Sequence, residues 1–369
     1  MLEKCTRGEY LSIEEIVELI NGTLDRTNKR LIKDYSANYT RSHRQEILLL
    51  PPLYLSSICE NNCLYCDFTF FGARLSYDEF LDEFNQLLDM GYQSIELVSS
   101  QDPELFFHRD RFDLNYQLYD IDRVVKYFEL GKKRLEENGG GMLTSNIPPV
   151  DVKSLKKLKS VGLDCYLIWL ETFDPPQYVK LHKQEGPKAN QAFRLDSFEN
   201  AIDAGIEHVA GAFLKGLSDW RKDEAALYLL DKYLKKKTGR GFSIVGTPRL
   251  KGLFTKSEFV KPYLVSDEDY ELNFALDRIL FDGILWLQTR ESPSFNFRLI
   301  ERYGAGVILT LDCSTAPGGY NKPPKSKPQF PVYRQDLSKA ISRLKNNGYR
   351  VNLAWDGKTL FNMQRNIGK

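Results

Sequence analysis

A parallel α/β barrel of the (β/α)8 TIM type, with an N-terminal helical extension, is the fold that the sequence predicts. Apolar runs of strand length alternate with amphipathic helical patterns, and the alternation repeats eight times. The runs are too apolar to leave either strand face in water, as in a parallel sheet covered by helices. Eight such units close naturally into a barrel, with a doubly wound open sheet as the competing arrangement.

The first unit joins "EILLLPPLYLSS" (46–57) to "SYDEFLDEFNQLLDMG", where Phe80, Phe84, Leu87 and Leu88 fall at helical spacing. Strands recur at "SIELVSS", "GMLTSNI", "CYLIWLET", "HVAGAFLKGL", "GFSIVGTP", "ILWLQTR" and "GVILTLDC", each followed by a helical pattern. The expected organisation is a helical extension over 1–45, a barrel over 46–350 and a short appendage over 351–369. No sequence repeat or low-complexity linker divides the chain.

Charge narrows the function classes. With 51 basic and 50 acidic residues the net charge is +1, so nothing points to nucleic acid, and "LKKKTGR" (234–240) reads as a solvated helix end. The N-terminus is charged, and no window reaches the ~18 uninterrupted apolar residues of a membrane span. A cytoplasmic protein is the expectation. Six cysteines in such a chain argue for metal or redox chemistry over disulfides. Cys165 and Cys313 sit singly in apolar runs, as small core residues do.

Three of the others fall within "ICENNCLYCDF" (58–68): Cys59, Cys63 and Cys66, directly after the first strand. Active sites of these barrels lie at the C-terminal ends of strands, so this loop belongs to the catalytic face. A structural zinc site closes with four ligands; no fourth Cys lies within thirty residues on either side, and His43, before the first strand, is the one His in that span. Three thiolates fit a [4Fe–4S] cluster with one iron left open to a chelating cofactor.

Cys-x3-Cys-x2-Cys in this position resembles the radical S-adenosylmethionine (SAM) superfamily. The resemblance implies that SAM chelates the open iron, is cleaved to methionine and a 5′-deoxyadenosyl radical, and that the radical abstracts hydrogen from substrate. Tyr65, before the third cysteine, matches the position that contacts adenine. The likeness extends over roughly 50–320 through "SNIPP", "ETFDPPQYVKLH…GPKANQAFRL", "GLSDWRKD", "TPRL", "TRESP" and "TAPGGY". These blocks occur in this order in the subgroup of aromatic amino acid lyases, which includes tyrosine lyases of thiamine biosynthesis and hydrogenase maturation and a tryptophan lyase.

The subgroup implies roles residue by residue. Glu171 matches a glutamate near the SAM ribose, and Arg194 an arginine pairing with the SAM carboxylate. Arg290 matches an arginine that holds the substrate carboxylate, and Thr310, in the eighth strand, a serine beside it. Gln101 stands where the family has a glutamate receiving the SAM amino group, with Asp102 as a possible helper. Asp67 and Ser314 depart from a glycine and an arginine of the family pattern. His182 reads as a helix-surface histidine, and "PGGY" as a tight turn.

The reading is therefore a lyase that cleaves SAM at a [4Fe–4S] cluster and fragments tyrosine or tryptophan at Cα–Cβ. Its partners are a small-molecule amino acid and an electron donor such as flavodoxin or ferredoxin, with neither nucleic acid nor membrane. No cysteine follows Cys313, which argues against the second cluster of the hydrogenase maturase. Competing readings are a mutase or sulfur-inserting enzyme of the biotin synthase and methylornithine synthase branches, and a non-catalytic iron–sulfur or zinc protein.

Overall fold

A computed structural model describes residues 1–42, 46–61, 63–108, 119–182, 187–252, 257–288, 290–304 and 306–367. Two sequence blocks begin outside them: "GPKANQAF" at Gly186 and "TRESP" at Thr289. Three helices come first: α1 (Leu2–Thr6), α2 (Ile13–Gly22) and α3 (Arg26–Ser42). The first strand is made by β1 (Glu46–Leu49) and β2 (Pro52–Ser56), and α4 (Tyr77–Asp89) follows it. β3 (Ser94–Ser99) leads through a hairpin of β4 (Phe107–His108) and β5 (Tyr119–Asp120) to α5 (Asp122–Glu137). β6 (Met142–Asn146) precedes α6 (Val152–Ser160), and β7 (Cys165–Glu171) precedes α7 (Pro175–Leu181) and α8 (Gln191–Asp203). The remaining units are β8 (His208–Phe213) with α9 (Trp220–Thr238), β9 (Ile244–Gly246) with α10 (Asp267–Leu280), β10 (Ile284–Leu287) with α11 (Pro293–Tyr303), and β11 (Val307–Leu309) with α12 (Leu337–Asn346). Last come β12 (Arg350–Asn352) and α13 (Gly357–Ile367).

Ten strands form one parallel sheet in the order β12-β1-β11-β10-β9-β8-β7-β6-β3-β2, which curls into the barrel the alternation predicts. The seam falls within the first strand. β1 pairs with β11 and β2 with β3, so residues 46–56 bridge both edges. One continuous first strand was the expectation. It breaks at Leu50–Pro51, because Pro51 and Pro52 have no N–H to give to a ladder. The helices begin where side chains satisfy their free amide groups. At α4 a capping box operates: Ser76 Oγ accepts from Glu79 N (3.2 Å) while Ser76 N donates to Glu79 Oε2 (2.7 Å).

The N-terminal helices pack outside the barrel, α3 against α10 and α11, and α2 against α9. The C-terminal segment is more than an appendage. β12 adds to β1, and Trp355, Leu360 and Met363 pack against Leu48, Met142, Cys165, Ile284 and Ile308 across the barrel floor. The Trp355 indole N–H also donates to Leu49 O (2.8 Å). The floor is thus closed by hydrophobic burial, and the opposite, C-terminal end of the strands is left to open into a cavity. No helix among the described residues is long and apolar enough to cross a membrane.

Candidate active site

The cavity at that end measures about 1260 Å³ with its open mouth included. Cys59, Cys63, Cys66, Tyr65, Gln101, Glu171, Arg194, Arg290 and Thr310 all line it, although they come from loops and strands around the whole barrel.

The cysteine loop leaves β2 and is tied back to its neighbours. Cys59 N donates to Thr69 O (2.9 Å), Glu60 N to Gln101 O (3.1 Å) and Cys66 N to Cys63 O (3.2 Å). The return strand passes so close that a Cβ on Gly72 would lie 2.4 Å from the Ser57 carbonyl, which only glycine avoids. Burial raises the Cys63 thiol, against the pull of Lys188, and pushes Cys66 up to about 12. The Gln329 amide donates toward Cys66 Sγ (3.7 Å). Among the described residues no three His, Cys, Asp or Glu side chains are gathered tightly enough to hold one metal ion. A four-iron cluster assigns each thiolate to a different iron and spreads its ligands more widely than a single ion does. Three soft thiols on one cavity wall, with an amide N–H aimed at a sulfur, are a donor set that suits such a cluster.

Beside the cysteines, a bulge between Trp169 and Glu171 ends β7, and Glu171 takes φ 68°. A positive φ at a non-glycine residue is costly and gathers at functional sites. Its carboxylate accepts from Lys188 Nζ (2.6 Å). Burial alone would raise Glu171, but Lys188 and Arg194 outweigh it and hold the group below its ordinary value, ionised. The segment is braced from α9: Phe173 N donates to Asp223 Oδ1 (2.7 Å) and Thr172 Oγ1 to Ser218 Oγ (2.8 Å), which gives the "GLSDWRKD" block its local role. Arg194 is buried, donates to Trp169 O (2.8 Å), and leaves Nε without a partner.

His182 is not on the surface. It is 6% exposed, its Nδ1 donates to Tyr178 O (2.8 Å), and its Nε2 accepts from the Tyr65 hydroxyl (2.7 Å). Burial and Lys188 pull its pKa down to about 3, so it stays neutral and positions Tyr65. A helix-pattern reading placed it outside because it could not foresee that the cysteine loop folds over the end of α7.

Across the cavity, Arg290 follows β10. Its guanidinium carbon lies 3.7 Å from the centroid of the Phe330 ring, and its Nε has no partner. Burial lowers its pKa, yet a guanidinium remains charged at neutral pH. The adjoining Glu291 receives a fork from Arg249, Nε to Oε1 and Nη2 to Oε2, both 2.7 Å, so "TPRL" and "ESP" clamp the loop that presents Arg290. Thr310 stands just beyond β11 rather than within it. Its hydroxyl accepts from Trp286 Nε1 (2.9 Å) and gives its one proton to Leu50 O (3.0 Å), leaving none for a carboxylate while that bond holds.

Gln101 is 3% exposed and its amide nitrogen is unpartnered. Asp102 cannot assist it. Both oxygens are bound by Arg74 (2.6 and 2.7 Å), and Ser56 adds a further hydrogen bond. Ser314 turns its hydroxyl to Ala316 O (2.9 Å), and Gly318 and Gly319 supply the positive φ values of the turn. Sequence reasoning missed Lys188, Glu96, Asn146, Phe330 and the tryptophan pair Trp169–Trp286, whose rings lie 6.1 Å apart. Lys188 stood in the quoted "GPK" block, and Glu96 is an acid inside the apolar run "SIELVSS", which was signal enough to flag it.

A barrel with a three-cysteine loop at the catalytic end of its first strand, opening on a cavity rich in unpaired donors, defines a class. The sequence profile of the Radical SAM superfamily matches residues 53–229, the part of the chain that carries the cysteine loop, Glu171 and Arg194. Among curated proteins it is similar to 2-iminoacetate synthase of Escherichia coli (strain K12), 28% identical over 281 residues that cover 73% of this chain and 67% of that protein. It is also similar to 3-methylornithine synthase of Methanosarcina acetivorans, 25% identical over 212 residues that cover 55% of each. Among solved structures it resembles HydG, a maturase of the [FeFe]-hydrogenase, with a TM-score of 0.83 and 25% identity across 99% of this chain and 79% of that one.

Proposed function

We propose that this enzyme is a carbon–carbon lyase that fragments an aromatic amino acid at Cα–Cβ, using SAM and one [4Fe–4S] cluster. Cys59, Cys63 and Cys66 would hold the cluster. Tyr65, Gln101, Glu171 and Arg194 would hold SAM, the free oxygen of Glu171 accepting from the ribose and the open Nε of Arg194 meeting the carboxylate. When bound, the cluster and SAM supply a 5′-deoxyadenosyl radical that takes a hydrogen atom from the substrate amino group.

The chain's own task is positioning. Arg290 is the observation that carries the reading: a half-buried guanidinium stacked on Phe330, with a buried Nε–H that has no partner, in the same cavity as the cysteine loop. A buried N–H left without a partner is costly, and the α-carboxylate of an amino acid relieves that cost while fixing its amino nitrogen. Thr310 would join only by releasing Leu50 O. Trp169, Trp286 and Phe330 then give the aromatic side chain a wall that excludes water.

With tyrosine, the balance is tyrosine, SAM, two electrons and one proton giving dehydroglycine, p-cresol, methionine and 5′-deoxyadenosine. The 2-iminoacetate synthase likeness favours this substrate. The test is anaerobic: reconstitute the cluster, add SAM and a strong reductant, and quantify 5′-deoxyadenosine with each amino acid in turn. A burst specific to an aromatic amino acid supports the lyase. Cleavage indifferent to every amino acid contradicts the substrate assignment.

A further inference from the structure

One buried acid in the cavity takes no part in holding cluster, SAM or carboxylate. Glu96 points inward from β3, three residues or roughly 10 Å below the C-terminal end of that strand at Ser99, and it is 3% exposed. Asn146, at the end of β6, donates from Nδ2 to Glu96 Oε1 (2.8 Å). No cation faces the carboxyl among the described residues. Neither Glu96 Oε2 nor Asn146 Oδ1 forms a further hydrogen bond there, and both residues line the cavity.

We propose that Glu96 and Asn146 form the specificity site of the enzyme, reading a hydroxyl at the far tip of the substrate's aromatic ring. The inference rests on the lyase reading given above and narrows its substrate to a phenol-bearing amino acid. Burial raises the Glu96 carboxyl to about 8, with the Asn146 hydrogen bond pulling the other way, so at neutral pH it is a carboxylic acid with one proton to donate. That proton suits a phenol oxygen, and Asn146 Oδ1 suits the phenol proton. A hydroxyl satisfies both groups, an indole N–H only the acceptor, and a bare phenyl ring neither.

The placement agrees with this. Arg290 sits beyond the strand end at the rim and Glu96 within the barrel, so an amino acid held at the rim directs its side chain inward. Trp169 and Trp286 line the way, and Gly246 makes room, since a Cβ there would lie 2.9 Å from the Trp169 ring. Sites built around a substrate hydroxyl reject the analogue lacking it far more strongly than apolar pockets discriminate size.

The test is equilibrium dialysis of tyrosine, phenylalanine, tryptophan and lysine against cluster- and SAM-loaded protein without reductant, for wild type, Glu96→Gln, Glu96→Leu and Asn146→Ala. Wild type should bind tyrosine at least about 100-fold more tightly than phenylalanine. Glu96→Leu should compress that ratio to a few-fold, Asn146→Ala should reduce it in part, and Glu96→Gln, whose amide both donates and accepts, should keep most of it. A ratio unmoved in Glu96→Leu overturns the proposal but leaves the aromatic lyase standing. Preference for lysine, or no binding of any aromatic amino acid to wild type, overturns both. Should Glu96→Leu not fold, the Asn146→Ala ratio decides.

Discussion

The two ends of the barrel are built by the same strands and solve opposite problems. At the floor, Trp355, Leu360 and Met363 seal the sheet, and the indole N–H of Trp355 is spent on Leu49 O. At the rim, Arg194 Nε, Arg290 Nε and Gln101 Nε2 are buried without partners, and Glu171 carries a positive φ. Proteins seldom leave buried donors unpaired, because each costs ~1–3 kcal/mol. These three belong to residues that line one cavity, where ligands can complete them, and the floor supplies stability that lets the rim remain incomplete.

Breaking each end in turn should separate the two roles. The largest effect is expected from the cysteines: Cys59→Ala, Cys63→Ala or Cys66→Ala should abolish iron binding, read by metal analysis and absorbance, and lower SAM cleavage by at least about 10³-fold. Trp355→Ala at the floor should cost ~3–5 kcal/mol in denaturant unfolding while folded protein still takes up iron. Arg290→Met should act on binding far more than on folding. Substrate affinity should fall by about 10²-fold or more, whereas ligand-free stability should change by no more than ~1 kcal/mol, because Arg290 is half-buried and the Met side chain can still pack on the Phe330 ring. A large fall in ligand-free stability with substrate affinity unchanged would make Arg290 a structural residue.

The most gradual effect is a pH slope. The Glu96 carboxyl sits at about 8 in the folded chain against an ordinary 4.5. Between those values the folded protein holds a proton that the unfolded chain has released. Stability attributable to Glu96 should therefore be full below about pH 4.5 and decline as pH rises toward 8, by at most about 1.4 kcal/mol per unit. Glu96→Gln should flatten that part of the profile, as chemical denaturation across the pH range would report.

Much of the rim was legible because its chemistry is local in sequence. Three cysteines in eight residues, an acid ending a strand at Glu171 and an arginine following another at Arg290 each announce themselves without knowledge of the fold. What stayed hidden was pairing. Nothing in "QDP" says that Asp102 is spent on Arg74, and nothing in "KLH" says that Tyr65 covers His182. The first strand's break follows from two prolines that were visible but not weighed. The floor plug escaped notice because Trp355 meets Leu49 across some three hundred residues, a contact no local pattern encodes.

The most direct test of the central claim is product stoichiometry. Reconstituted enzyme with SAM, reductant and ring-labelled tyrosine should give labelled p-cresol and 5′-deoxyadenosine in equal amounts, with one methionine formed per turnover. 5′-Deoxyadenosine accompanied by intact tyrosine, or by a labelled product that keeps its Cα–Cβ bond, would contradict the account.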